Sequence, residues 1–200
     1  MRAVNDLESL AGTVAAQLGD ERNAVPASEF PRDPEAAGHR GMYAWFGDAE
    51  AIAVFSAVLA SPLTQPLYSG QAGATSTRAA KESGATLLSR VRGDHIRGNI
   101  YGSTMRCTLA ALLLDNLGLE RSRRKRLAGD GDSRLSEWIE EHLCVAIAPV
   151  DDGVALAHVE PLVLARLDPP LNIIHMPMTP VRRRLKLLRS YLTARDAPCK

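Results

Sequence analysis

Two hundred residues and 21.6 kDa make one domain, or one domain with tails. At 46% apolar and 24% charged the chain has an ordinary globular composition, which excludes a disordered, collagenous or low-complexity protein; with only 4% aromatic residues, its core must come mainly from Leu, Val, Ala and Ile. The net charge of +1 conceals segregation: residues 78–126 carry 11 basic and 4 acidic groups, 127–170 carry 2 and 9, and 176–200 carry 7 and 1. Basic blocks around an acidic one suit a polyanion-binding face beside a site for a cation.

In chain order, residues 5–18 predict a short amphipathic helix, capped by Asn5 or Asp6, with Leu7, Leu10, Val14 and Leu18 on one stripe. Residues 20–40, with Pro26, Pro31 and Pro34, read as a linker. Residues 41–46 have strand character, and 48–60 read as a buried helix started by Asp48 and stopped before Pro62. A second short strand spans 66–70; a Gly/Ala/Thr/Ser loop follows, then a helix over about 85–97. Ser103 caps a helix that Gly118 ends, and residues 120–133 read as an exposed basic arm. A helix over 134–142 leads into a buried strand, 143–150. A helix over 156–167 follows, with Pro161 expected in its first turn because deeper it costs about 3 kcal/mol. Residues 180–195 predict a basic amphipathic helix with Val181, Leu185, Leu188 and Leu192 on one side. The fold class is α+β: a small central, mostly antiparallel sheet flanked by helices. Residues 1–40 form an N-terminal helix and Pro-rich linker, 41–175 the compact domain, and 176–200 a basic helix and tail.

Cys107, Cys144 and Cys199 are odd in number and far apart, with no metal-type spacing, so neither a disulfide scaffold nor a zinc site is expected. No apolar run approaches the ~20 residues of a membrane span, and the amino terminus lacks a signal-type apolar core. The chain reads as cytoplasmic. Nucleophile-elbow, phosphate-loop and dinucleotide-loop motifs are all missing.

Three stretches stand out together: Gly41-Met42-Tyr43 with Tyr68-Ser69-Gly70; Leu87-Leu88-Ser89-Arg90-Val91; and Glu160-Pro161-Leu162-Val163-Leu164, with Pro169 nine and Asn172 twelve residues after the Glu. In this order and on these element types they resemble the GIY-YIG nuclease superfamily, closest to its restriction-type members because a long stretch with its own helix separates the half-motifs. The resemblance covers about residues 41–175. It departs from the pattern at three places. Ser69 replaces an aliphatic residue. Gln71 stands where many members have Lys, removing a phosphate contact. His95 follows Arg90 by five residues where relatives often show four.

The resemblance implies a DNA endonuclease that hydrolyses phosphodiesters with one divalent ion, Mg²⁺ or Mn²⁺. Tyr43, Tyr68, Arg90, His95 and Glu160 are the implied catalytic set. Arg90, a permanent cation with a planar fork, suits the scissile phosphate. Glu160 offers the hard oxygen that Mg²⁺ prefers, leaving the other positions to water and phosphate. The tyrosines would orient or deprotonate the attacking water, and a phenol with a reference pKa near 10 needs a neighbouring cation to do so. His95 would position water or contact phosphate, and Asn172 would fasten the helix end to the sheet.

For DNA contacts the sequence offers Arg92, Arg97, Asn99, Tyr101, Ser103, Thr104 and Arg106, entering a helix, and the arm bearing Arg123, Arg124 and Lys125. Tyr101 is placed to stack on a base. A double-strand cut from one site requires a homodimer or sequential nicking; restriction, repair or mobile-element processing are the candidate settings. Two other readings stay open. One is a DNA-binding module with weak or no catalysis, motivated by Gln71 and the shifted His95. The other is an unrelated small α/β enzyme, which would leave Arg90 and Glu160 more than ~15 Å apart.

Overall fold

A computed structural model describes residues 2–73 and 84–195; the segment 74–83, where a loop is expected, Cys199 and the end of the tail lie outside the described residues. The fold is α+β. Four antiparallel strands form the sheet in the order β1-β6-β2-β3, with β1 at Val25–Pro26, β2 at Gly41–Gly47, β3 at Tyr68–Ala72 and β6 at Leu143–Pro149. A separate hairpin joins β4 (Arg121–Arg123) to β5 (Arg126–Leu127). The helices are α1 (Arg2–Gly19), α2 (Pro34–Gly38), α3 (Ala49–Leu59), α4 (Thr104–Leu112), α5 (Gly131–His142), α6 (Leu156–Leu167) and α7 (Pro180–Thr193), with a π-helical segment at Ser89–Ile96.

The two-residue period of β2 sorts its side chains between two layers. Met42, Ala44 and Phe46 pack with Val14 and Leu18 of α1 and with Leu156, Val159 and Val163 of α6. Tyr43 and Trp45 face the larger core of α3, α4, α5, α7 and the π-helical segment. All seven residues of β2 are buried, as its central place in the sheet requires. The cross-strand pair Tyr43–Gly70 puts Gly70, Tyr68 and Tyr43 on the larger-core side. Gln71, opposite Met42, therefore lies on the α6 side.

Local signals account for several ends. Asp48 caps α3 by accepting from the Ala51 amide at 2.8 Å, and Thr179 with Pro180 at the first helical position starts α7. Three expectations need correction. Residues 20–40 are not a bare linker: they supply β1, two 3₁₀ turns and α2, and Ala27, Phe30 and Ala37 join the core. The prolines set turns without preventing burial. The basic arm is not extended chain but the β4–β5 hairpin, docked on α7 through Lys125 N–H to the Leu192 carbonyl at 2.8 Å. Pro161 lies in the second turn of α6, not the first. It faces solvent, and the carbonyl it leaves unbonded belongs to half-exposed Ala157, where solvent softens the loss. The first helix also starts earlier than expected, at Arg2. Cys107 and Cys144 are free thiols. Among the described residues no helix is long and apolar enough to cross a membrane.

Candidate active site at the β3 edge

The two half-motif glycines are explained by close approach. A Cβ on Gly41 would meet the Ala148 carbonyl at 2.3 Å, and one on Gly70 would meet the Tyr43 hydroxyl at 2.5 Å. Without a side chain at 70, the Tyr43 phenol lies flat across β3. There its hydroxyl is 2.7 Å from His95 Nε2, and His95 Nδ1 is 2.7 Å from Ser103 Oγ. Tyr43, His95 and Ser103 are all buried.

The π-helical segment explains why a spacing of five works. Arg97 N–H bonds to the Arg92 carbonyl, an i→i+5 link that wraps one more residue into the turn than an α-helix does. Arg90 and His95 thereby share a face, while the intervening Asp94 pairs with the Arg90 guanidinium at 2.8 Å. Arg90 is held fully cationic: burial opposes its charge, but Tyr43 and Asp94 outweigh that. Burial pushes the Tyr43 phenol far up, reinforced by Tyr68 and only partly offset by Arg90. Tyr68, half-exposed on the same side, is raised by burial too, with Arg90 and Arg189 opposing and Glu160 reinforcing. His95 is driven well below its ordinary value by burial and then by the Arg90 and Arg106 charges. The resting site is a protonated phenol beside a neutral imidazole.

Glu160 approaches from the other layer, on α6. Its Oε2 accepts from Gln71 Nε2 at 2.7 Å. Burial raises its pKa, and His175, the Gln71 bond and Arg90 pull it part of the way back. Arg90, Tyr43, Tyr68 and Glu160 thus feel one another's charge around the β3 edge. Asn172 closes this edge: it accepts from Ser69 N–H at 2.9 Å and donates to the Ser69 carbonyl at 2.8 Å. Arg182, buried in α7, holds the Asn172 carbonyl at 2.8 Å and the Asp168 carboxylate at 2.7 Å.

Among the described residues no group of three or more His, Cys, Asp or Glu gathers to hold a metal. Glu160 is a lone carboxylate. The Gln71 amide bonded to it has a buried Oε1 with no hydrogen-bond partner among the described residues. That donor set fits a hard cation keeping most of its waters, not a closed zinc cage.

The residues expected to touch DNA divide sharply. Ser103 and Arg106 are fully buried, so the phosphate contacts expected of them are not available. Ser103 Oγ caps α4 through the Arg106 amide at 3.1 Å and holds His95. The Arg106 guanidinium collects the carbonyls of His95, Ile96 and Asp132 and the Ser136 hydroxyl, bracing the end of the π-helical segment. Arg92 is half-buried and donates to the Phe30 carbonyl at 3.0 Å, and Asn99 accepts the amides of Tyr101 and Gly102 to close a turn. Thr104 is half-buried in the first turn of α4. Arg97, Arg123 and Arg124 are exposed and Lys125 half-exposed. Tyr101 is 64% exposed, and the Arg126 guanidinium lies 4.8 Å from its ring centre, joining the hairpin to the loop after the π-helical segment.

Sequence reasoning missed His175 and Arg189 as charges on the site, Gln71 as the Glu160 partner, and Ser103 as the His95 partner. Ser103 was legible as a cap; nothing in the local pattern pointed to its second bond.

The Tyr43/Gly70 crossing, the arginine on its helix, and Glu160 followed by Asn172 are the parts of a known nuclease-type domain. Residues 41–191 match the GIY-YIG catalytic domain, and the chain belongs to that family. No curated protein and no solved structure matches the chain significantly.

Proposed function

We propose that the protein is a divalent-metal-dependent DNA endonuclease that hydrolyses phosphodiesters by a one-metal mechanism, acting in restriction or repair. The observation that carries this is the convergence at the β3 edge: a hydrogen-bonded phenol–imidazole pair and a guanidinium from one layer, and a carboxylate from the other. Arg90 binds the scissile phosphate and offsets the charge of the pentacovalent state. Asp94 holds its fork in place in the free protein. Tyr43 is too weak an acid to act as a standing phenolate, so its base role runs through His95. As Tyr43 Oη accepts a proton from the attacking water, its own proton passes to His95 Nε2, 2.7 Å away. The water oxygen bonds to phosphorus, the P–O bond to the leaving group breaks, and the departing oxygen is protonated by solvent. Tyr68, kept protonated, donates a hydrogen bond to the phosphate. Glu160 would hold Mg²⁺ or Mn²⁺, which supplies Lewis-acid stabilisation of the phosphate oxygens.

Arg97, Tyr101, Arg123, Arg124 and Lys125 form the proposed DNA-tracking surface, and a homodimer or sequential nicking serves double-strand cleavage. The test is cleavage of plasmid, single-stranded and branched DNA with Mg²⁺ or Mn²⁺. Arg90→Ala and Glu160→Ala should each abolish cleavage in folded protein. Activity indifferent to both substitutions rules out this site. Salt-dependent binding with no cleavage under any divalent metal favours a DNA-binding module instead.

A further inference from the structure

We infer that Gln71 is a second protein ligand of the divalent cation, its Oε1 joining the Glu160 carboxylate as a hard oxygen donor. This rests on the reading of Glu160 as the metal carboxylate.

Strand register puts Gln71 opposite Met42 and so on the same side of the sheet as α6. Its amide end is already 2.7 Å from Glu160 Oε2. Adjacent donors in a Mg²⁺ octahedron with bonds near 2.1 Å stand about 3 Å apart. The spacing of the two side chains is therefore that of neighbouring ligands. The terminal torsion of glutamine is soft, so a half-turn about it brings Oε1 to the carboxylate in place of Nε2, exchanging the amide–carboxylate hydrogen bond for a shared cation.

Satisfaction points the same way. Gln71 Oε1 is buried with no hydrogen-bond partner among the described residues. An unmet buried acceptor costs about 1–3 kcal/mol, and turning the amide so that Oε1 meets a cation beside Glu160 gives that oxygen a partner while Nε2 takes its place. Charge agrees as well. A lysine at this position would pair with Glu160 and repel a dication, whereas the neutral amide leaves the carboxylate's charge to the ion.

The test is Mn²⁺ titration followed by electron paramagnetic resonance on the full chain, with circular dichroism confirming the fold of each variant. Glu160→Gln should abolish the bound signal. Gln71→Met, which fills the space without an oxygen, should weaken Mn²⁺ about tenfold; Gln71→Lys should abolish binding and Gln71→Glu should tighten it. Anomalous diffraction from Mn²⁺-soaked crystals separates ligation by Gln71 from mere orientation of Glu160. A peak bonded to both Glu160 and Gln71 Oε1 supports the assignment. A peak bonded to Glu160 alone, or Mn²⁺ affinities of Gln71→Met and Gln71→Glu within twofold of the unaltered protein, overturns it and leaves the Glu160 reading standing. Mn²⁺ binding unaffected by Glu160→Gln overturns both.

Discussion

On the Tyr43 side of the β3 edge the polar groups are enclosed and matched: His95 is fully buried and engages Tyr43 and Ser103 with its two ring nitrogens. On the Glu160 side the carboxylate is half-buried, its partner amide has an unmet oxygen, and exposed His175 lies within electrostatic reach. The first arrangement is rigid and gains nothing from a ligand. The second is incomplete, its energy rising with the charge it must carry. A site that handles protons on one side and recruits a cation on the other needs this asymmetry: proton transfer demands fixed donors and acceptors, and cation capture demands unsatisfied ones.

The largest effects should break one side at a time. Arg90→Ala and Glu160→Ala should each lower single-turnover cleavage by about 10³-fold. Tyr43→Phe and His95→Ala should lower it by about 10²–10⁴-fold. His95→Ala should also destabilise the fold by about 2 kcal/mol in urea titration, because it strands the Tyr43 and Ser103 hydroxyls. Stability losses confined to the Tyr43 side would sharpen the contrast; equal losses from Glu160→Gln would dissolve it.

Glu160→Gln should instead stabilise the protein, by an amount that depends on pH. The folded pKa of Glu160 is raised, first by burial, so its contribution is fully present below the unfolded pKa and is lost as pH rises through the folded value. The variant should therefore melt higher than the unaltered protein at pH 7 and match it near about pH 3.5, where the carboxyl is neutral in both states. Differential scanning calorimetry at the two pH values decides this. The same shift predicts that NMR titration of the metal-free protein finds the Glu160 carboxyl above its ordinary value, and that Gln71→Met moves it higher still by removing a bond that favours the ionised form. His95, neutral in the resting protein because burial holds its pKa well down, should contribute no limb to the pH–rate profile near its ordinary value.

The smaller effects concern position and affinity. Gly70→Ala should cost about 1–3 kcal/mol and slow cleavage, since its Cβ would displace the Tyr43 hydroxyl. Arg123→Ala should leave cleavage of saturating DNA unchanged and reduce the slope of log affinity against log salt by about 1. Arg106→Ala should behave oppositely, lowering stability with the salt slope intact; a changed slope would return Arg106 to the DNA surface.

Much of the site was legible because its markers are local. Glycines that must admit a carbonyl or a phenol, an arginine on a predicted helix, and a carboxylate followed at fixed distance by an asparagine survive as one-dimensional patterns. What failed to show is a matter of burial. Arg106 and Arg182 were counted with their neighbours as surface charge, because composition cannot tell a cation that solvates itself from one that solvates carbonyls inside the fold. Residues 20–40 looked like a linker because prolines mark breaks in regular structure, not a lack of core contacts.

The sequence by itself determined the order of the main helices and sheet strands, the caps at Asp48 and Ser103, and the residue types able to do phosphodiester chemistry. These depend on backbone sterics and on spacing along the chain. Only the tertiary structure decided that a π-helical turn brings His95 under Tyr43, that Ser103 and Arg106 work inside the protein, and that Gln71 stands against Glu160. Each of those turns on which buried polar atom finds a partner, and that is settled by packing between segments 8 to 89 residues apart.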